Sequence, residues 1–348
     1  MAFSSFAFRA LLKKINPDPT RAELAQRLPG EVRDWLKDHE FETRSPHSRL
    51  IGSYGRHTAH GDIKDVDTLL LLPVEALAYT PESVIRELKG VLDEYPDATA
   101  EASPQRRSIR LNFHAHRLCM DIVGAVAEEG IDHPLWVPDR EKRKWIASDP
   151  LGYGRSLSAE NAGHGEKLVP LIKLVKAWRD EQMVYRPPKS YLLEVIVFQA
   201  VTGGAIVLKG RSTAENVGAF FEHIETKWKK LLDEGGGVPR ILDPQLANVI
   251  SGGWEHSHFE AFMRRVEEAA RAARAAVNAD TDELAELQWK KVFRSLWPTP
   301  EEVEEEARAA AAAATPGKVY ITASGGVSAT ATVGAMRSQP TTFHGTDG

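Results

Sequence analysis

The sequence predicts an α+β chain, with a sheet-bearing lobe, a helical lobe and a cleft between them. Three observations carry this reading. Strand-like apolar runs cluster before residue 125, helical periodicity dominates residues 168–297, and the composition changes after Pro298. The expected domains are 1–160 (sheet lobe with an N-terminal spine helix), 161–298 (helical lobe) and 299–348 (an Ala/Glu helix and a disordered tail).

Residues 3–15 read as a short amphipathic helix, stopped by Asn16-Pro17-Asp18-Pro19. From 20 to 39, Leu24, Leu28, Val32 and Leu36 recur every four residues, so one apolar stripe runs along a long helix in spite of Pro29-Gly30. This helix is expected to brace both lobes. Strands follow at about 48–53, 65–72, 107–115 and 117–124, with a helix near 81–95. Residues 129–164 are rich in Pro, Gly and charge, with Trp136, Trp145 and Tyr153 interspersed, and read as an ordered connection walling a pocket. Gly203-Gly204, the Gly-rich run 235–239 and Ser251-Gly252-Gly253 break the helical lobe. Residues 301–314 read as a Glu/Ala helix, and from Thr315 onward little remains to bury.

A net charge of −5 argues against a surface that clings to nucleic acid throughout, so no stable nucleic-acid partner is expected. Three local basic clusters stand out: Arg106, Arg107 and Arg110; Lys142, Arg143 and Lys144; Lys227, Lys229 and Lys230. They read as solvated faces, except where one borders the cleft. The single cysteine, Cys119, excludes a disulfide framework and fits a reducing cytoplasm. Basic residues follow the apolar part of the first segment, the reverse of a signal peptide, and no apolar run reaches membrane-spanning length. A soluble, cytoplasmic protein with no membrane partner is expected.

Residues 51–72 carry the chemistry. Gly52 and Ser53 form a small-residue turn where backbone N–H groups and a hydroxyl can approach a phosphate. Asp65 and Asp67 then alternate with Val66 before the apolar run 69–72, as a buried strand reads. Residues two apart on a strand share a face. Two carboxylates side by side repel each other unless divalent cations lie between them and the phosphates of a nucleotide. Asp121 is the one acid inside the otherwise apolar run 118–123.

Gly52-Ser53 followed by Asp65-x-Asp67 resembles the DNA-polymerase-β-like nucleotidyltransferase superfamily, in which a neighbouring strand of a mixed sheet supplies a third carboxylate. The resemblance implies Asp121 for that place. Residues 171–179 and Lys189-Ser190-Tyr191-Leu192-Leu193-Glu194 resemble the cyclic-GMP-AMP-synthase-like branch, and residues 242–248 and 289–298 resemble its bacterial members, the CD-NTases of CBASS antiphage systems. In all, about residues 20–298 take part. The resemblance implies two Mg²⁺ ions, with Mn²⁺ as the alternative, held by the catalytic acids Asp65, Asp67 and Asp121, with Asp121 helping to remove the proton of the attacking hydroxyl. It implies nucleotide binding by Gly52, Ser53, Lys176 and Ser190, the Lys and the later Ser clasping a triphosphate. ATP and other NTPs would be joined into a cyclic di- or trinucleotide second messenger for antiphage defence, with pyrophosphate leaving. It also implies an E1/E2-like conjugating partner acting through Gly348.

The residues alone leave other readings open. Lys176 also reads as a solvated face residue, Ser190 as an N-cap and Asp121 as a structural acceptor. An RNA 3′-end nucleotidyltransferase of the poly(A) or tRNA-end type would use the same three acids but needs a basic track for its primer. A non-catalytic nucleotide-binding protein is the third class.

Overall fold

The computed structural model describes residues 2–96, 102–185 and 187–313, together with three two-residue strands further on. Gly348 and most of the segment that follows Thr315 lie outside the described residues, and with them the expectations of a disordered tail and of a conjugating partner. Among the described residues no helix is long and apolar enough to cross a membrane.

Helices α1 (Ala2–Ile15) and α2 (Pro19–Asp38) open the chain. Strand β1 (Ser48–Ile51), the one-turn helix α3 (Gly52–Gly55), β2 (Asp65–Leu72) and α4 (Pro81–Leu92) follow. Then come β3 (Ser103–Pro104), β4 (Ile109–Phe113) and β5 (Leu118–Val126). Residues 129–164, read from sequence as a connection, hold regular structure: β6 (Leu135–Asp139), β7 (Lys144–Ser148) and α5 (Pro150–Gly163). Pro138 and the charged turn 140–143 masked the hairpin, because proline and charge are depleted in strands. The remaining helices are α6 (Leu168–Gln182), α7 (Ser190–Thr202), α8 (Thr213–Asp233), α9 (His256–Val277), α10 (Asp282–Phe293) and α11 (Pro300–Ala313).

The sheet is mixed, with order β1-β2-β5-β4-β3. Only β2 and β5 run parallel; β6 pairs antiparallel with the end of β5 and then with β7. Along β2 the even positions Val66, Leu70 and Leu72 enter a core shared with Leu28, Val32 and Leu36 of α2 and Val84, Ile85 and Leu88 of α4. The odd positions Leu69 and Leu71 pack on the other face with Ala125, Leu135 and Val137. Strand alternation therefore puts Asp65 and Asp67 on this second face, at the start of β2, where α3 lies against it.

The bracing of both lobes differs from expectation. Helix α2 continues through Pro29, but its stripe is spent on the sheet lobe. Helix α1 buries Ala7, Phe8, Leu11 and Ile15 in the core of the helical lobe, where the Phe8 ring meets Trp289 edge-on at 4.9 Å and Trp297 at 5.3 Å. It is α1 and α2 in series, joined at 16–18, that tie the lobes together.

Candidate active site

The strand register brings the acids together. Asp67 of β2 stands beside Asp121 of the parallel β5, and Asp65 stands beside Cys119. Arg110 of β4 lies opposite Asp121 from the other side. Its guanidinium donates Nε–H to Asp121 Oδ1 at 3.0 Å and Nη2–H to Oδ2 at 2.6 Å, and Nη2 lies 3.3 Å from Asp65 Oδ1. Burial, reinforced by the Asp121 carboxylate and offset in part by Arg56, pushes the Asp67 carboxyl up to about 6.

Gly52 is required by this crowding. Its φ is +64°, a left-handed value that favours glycine, and a Cβ there would lie 1.8 Å from Asp67 Oδ2. The turn therefore lays bare backbone on the Asp67 carboxylate and delivers Ser53 to the point where two cavities meet. One, of about 1160 Å³, runs from Ser53, Asp67 and Ser190 toward the β6–β7 hairpin and the loop at 243–250. The other, of about 750 Å³, runs from the same three residues past Asp65, Asp121 and Arg110 to His60 and Asp180.

The donor set suits a hard divalent cation, since it consists of carboxylate oxygens on one face, over one of which a side chain is excluded. Among the described residues, however, no three such side chains converge as they stand on one point that could hold an ion. Asp121 is engaged with Arg110, which serves as the local cation. The acids fit Mg²⁺ or Mn²⁺ on condition that Arg110 yields.

Residues 1–161 match the family model described as the Second Messenger Oligonucleotide or Dinucleotide Synthetase (SMODS) domain. Over 304 residues, 84% of each chain, the sequence is 27% identical to a cyclic AMP-AMP-AMP synthase of Acinetobacter sp.. The chain is thus similar to cyclic oligonucleotide synthases along most of its length. Among solved structures it resembles E. coli MS115-1 CdnC with ATP, at TM-score 0.64 and 21% identity over 84% of this chain and 98% of that one. It also resembles Bradyrhizobium diazoefficiens CdnG in complex with GTP, at TM-score 0.62 and 15% identity over 87% and 97%. The fold is that of the polymerase-β-like nucleotidyltransferases.

In this chain, Gly52, Ser53, Asp65, Asp67, Asp121 and Ser190 all line the two cavities or their junction. Ser190 is the first residue of α7 and does not cap it; the N-cap is Lys189, with no side-chain capping bond. Lys176 differs from its reading as a solvated face residue. It is not solvated: it is 1% exposed, at the floor of the first cavity, with its ammonium bonded to Glu194, to Thr58 Oγ1 at 3.0 Å and to the Thr58 carbonyl at 3.2 Å. Burial draws the Lys176 ammonium below its ordinary value, and the Glu194 carboxylate opposes this.

Sequence reasoning missed several side chains. Glu194 and Arg56 were hidden in an apolar helix and in a turn, and Arg110 becomes visible only once β4 and β5 are in register. Exposed Lys189 lines the first cavity, as do Arg107, Lys142, Lys144, Trp136 and Trp145. Two of the three basic clusters therefore border the cleft. The signal available in the sequence was their proximity to the aromatic residues of 129–164.

Proposed function

We propose that the enzyme joins nucleoside triphosphates, ATP first among them, into a cyclic di- or trinucleotide second messenger of antiphage defence, releasing pyrophosphate. The observation that carries this is the meeting of two nucleotide-sized cavities at Ser53, Asp67 and Ser190, with Asp65 and Asp121 on the same sheet face. One cavity takes the donor triphosphate and the other the nucleotide whose hydroxyl attacks. The name of the Acinetobacter relative supports an all-adenine product.

Asp65, Asp67 and Asp121 would hold Mg²⁺, or Mn²⁺ in its place. Such ions, when bound, lower the pKa of an attacking hydroxyl and neutralise charge on leaving pyrophosphate. Ser53 and Ser190 bind the triphosphate, aided by the N–H groups that open α7 and by Lys189. Arg107, Lys142 and Lys144 draw polyphosphate into the cleft, and Trp136 and Trp145 offer faces for a base. Asp121 accepts the proton of the attacking hydroxyl once Arg110 has released it. Lys176 acts from beneath, through Glu194.

The test is incubation of the purified protein with each radiolabelled NTP, singly and mixed, followed by phosphatase. Phosphatase-resistant product from ATP is expected, and none from Asp65→Asn/Asp67→Asn. Synthesis that persists in the double variant would overturn the assignment of the acids.

A further inference from the structure

We infer that Glu194 is a positioning residue whose carboxylate sets the separation of Ser53 and Ser190 across the cleft. The inference rests on the reading of those two serines as triphosphate ligands. Glu194 is fully buried. Its Oε1 accepts from Arg56 Nε at 2.7 Å, and its Oε2 accepts from Thr58 Oγ1 at 2.7 Å and from the Lys176 ammonium. Arg56 and Thr58 belong to the sheet lobe; Lys176 and Glu194 belong to α6 and α7 of the helical lobe.

The spacing gives this cluster its meaning. Arg56 lies three residues after Ser53, and Glu194 lies four residues, about one helical turn, after Ser190. The backbone of the first segment is closed on itself as well, since the Ser53 carbonyl accepts from the Thr58 N–H at 2.9 Å and the Ala59 N–H at 3.1 Å. A displacement of Arg56 or Thr58 is therefore passed to Ser53. Arg56 is held further by the rings of Tyr153, 5.2 Å away, and Tyr191, 5.5 Å away, while the Tyr191 hydroxyl donates to Asp243 Oδ2 at 2.8 Å. Asp243 also accepts the Gln245 and Leu246 N–H groups, so the loop that walls the first cavity is part of the same assembly.

A buried carboxylate shared by two cations and a hydroxyl from both lobes is geometrically demanding, and loss of its charge leaves those cations uncompensated. A triphosphate contact felt equally in ground and transition states appears in KM, whereas misplacement of reacting groups appears in kcat.

The experiment compares wild type, Glu194→Gln and Thr58→Val by amide hydrogen exchange on the nucleotide-free protein and by steady-state pyrophosphate release with ATP. In Glu194→Gln, exchange across residues 52–62 is expected to accelerate by at least about tenfold, with the β2 and β5 amides unchanged. The kcat is expected to fall at least about tenfold, with the KM for ATP within about threefold of wild type. Should Glu194→Gln fail to fold, Thr58→Val, which removes one of the three partners with little change of shape, is expected to move both readouts in the same direction by a smaller factor. Unchanged exchange at 52–62, or loosened exchange with unchanged kcat, overturns the inference; so does a loss confined to KM. Failure of the underlying reading shows separately, as unaltered ATP affinity in Ser53→Ala and Ser190→Ala while the exchange result for Glu194→Gln stands.

Discussion

The contact of Gly52 with Asp67 leaves no room for even one methyl group. Gly52→Ala would set a Cβ against the carboxylate and force a left-handed backbone on alanine, so synthesis is expected to fall by at least about a hundredfold, measured as pyrophosphate release. Arg110 works in the opposite sense. Its bonds to Asp121 and its approach to Asp65 must be given up for a metal to reach those oxygens. Arg110→Gln is therefore expected to tighten Mn²⁺ binding to nucleotide-free protein by roughly threefold to tenfold, below the full worth of a charged hydrogen bond because the pair is partly exposed. Equal or weaker binding in an equilibrium titration would show that Arg110 supports the carboxylates instead of competing for them. The juxtaposition of the three acids was legible in the sequence, because a charged residue amid strand alternation stands out from its apolar neighbours. Arg110 and Glu194 were not, since their roles depend on which strand or helix lies opposite, a matter of long-range register that local pattern does not encode.

Strand β2 serves two purposes along one face, acids at its start and leucines beyond, and this is why its bounds could be read from the sequence while the β6–β7 hairpin could not. The hairpin is anchored by a buried acid. Asp139 accepts hydrogen bonds from Arg106, from Arg107 Nε at 3.1 Å and from the Lys142 N–H at 3.0 Å. Burial raises the Asp139 carboxyl, but these donors outweigh burial and hold it well below the usual carboxylate range. A depressed carboxylate contributes stability that is present above its unfolded value of about 3.9 and is lost as pH falls through its folded value. The stability difference between wild type and Asp139→Asn, followed by urea unfolding, is thus expected to be largest near neutral pH and to shrink below about pH 4. Because Lys142 and Lys144 sit on this hairpin beside the first cavity, the same variant is expected to raise the KM for ATP severalfold with kcat nearly unchanged.

The lobes are joined more deeply at their first helix than the chain order implies. Phe8 packs among Trp289, Phe293 and Trp297, and Lys13 and Lys14 reach Glu305 and Glu302 of α11. The exposed ion pairs add little, whereas the buried ring is worth a great deal: Phe8→Ala is expected to cost roughly 3–5 kcal/mol in denaturant unfolding. The apolar content of residues 3–15 was legible, but its partner, some 280 residues away, was not. Since α1 belongs to the helical lobe, the described chain passes between lobes twice, at 16–18 and again at 148–150. Two such pins define a line, and a body held on two pins swings as a door does. Any turn of one lobe about that line would have to work against the bonds that the Glu194 carboxylate makes to Arg56 and Thr58 on the other side.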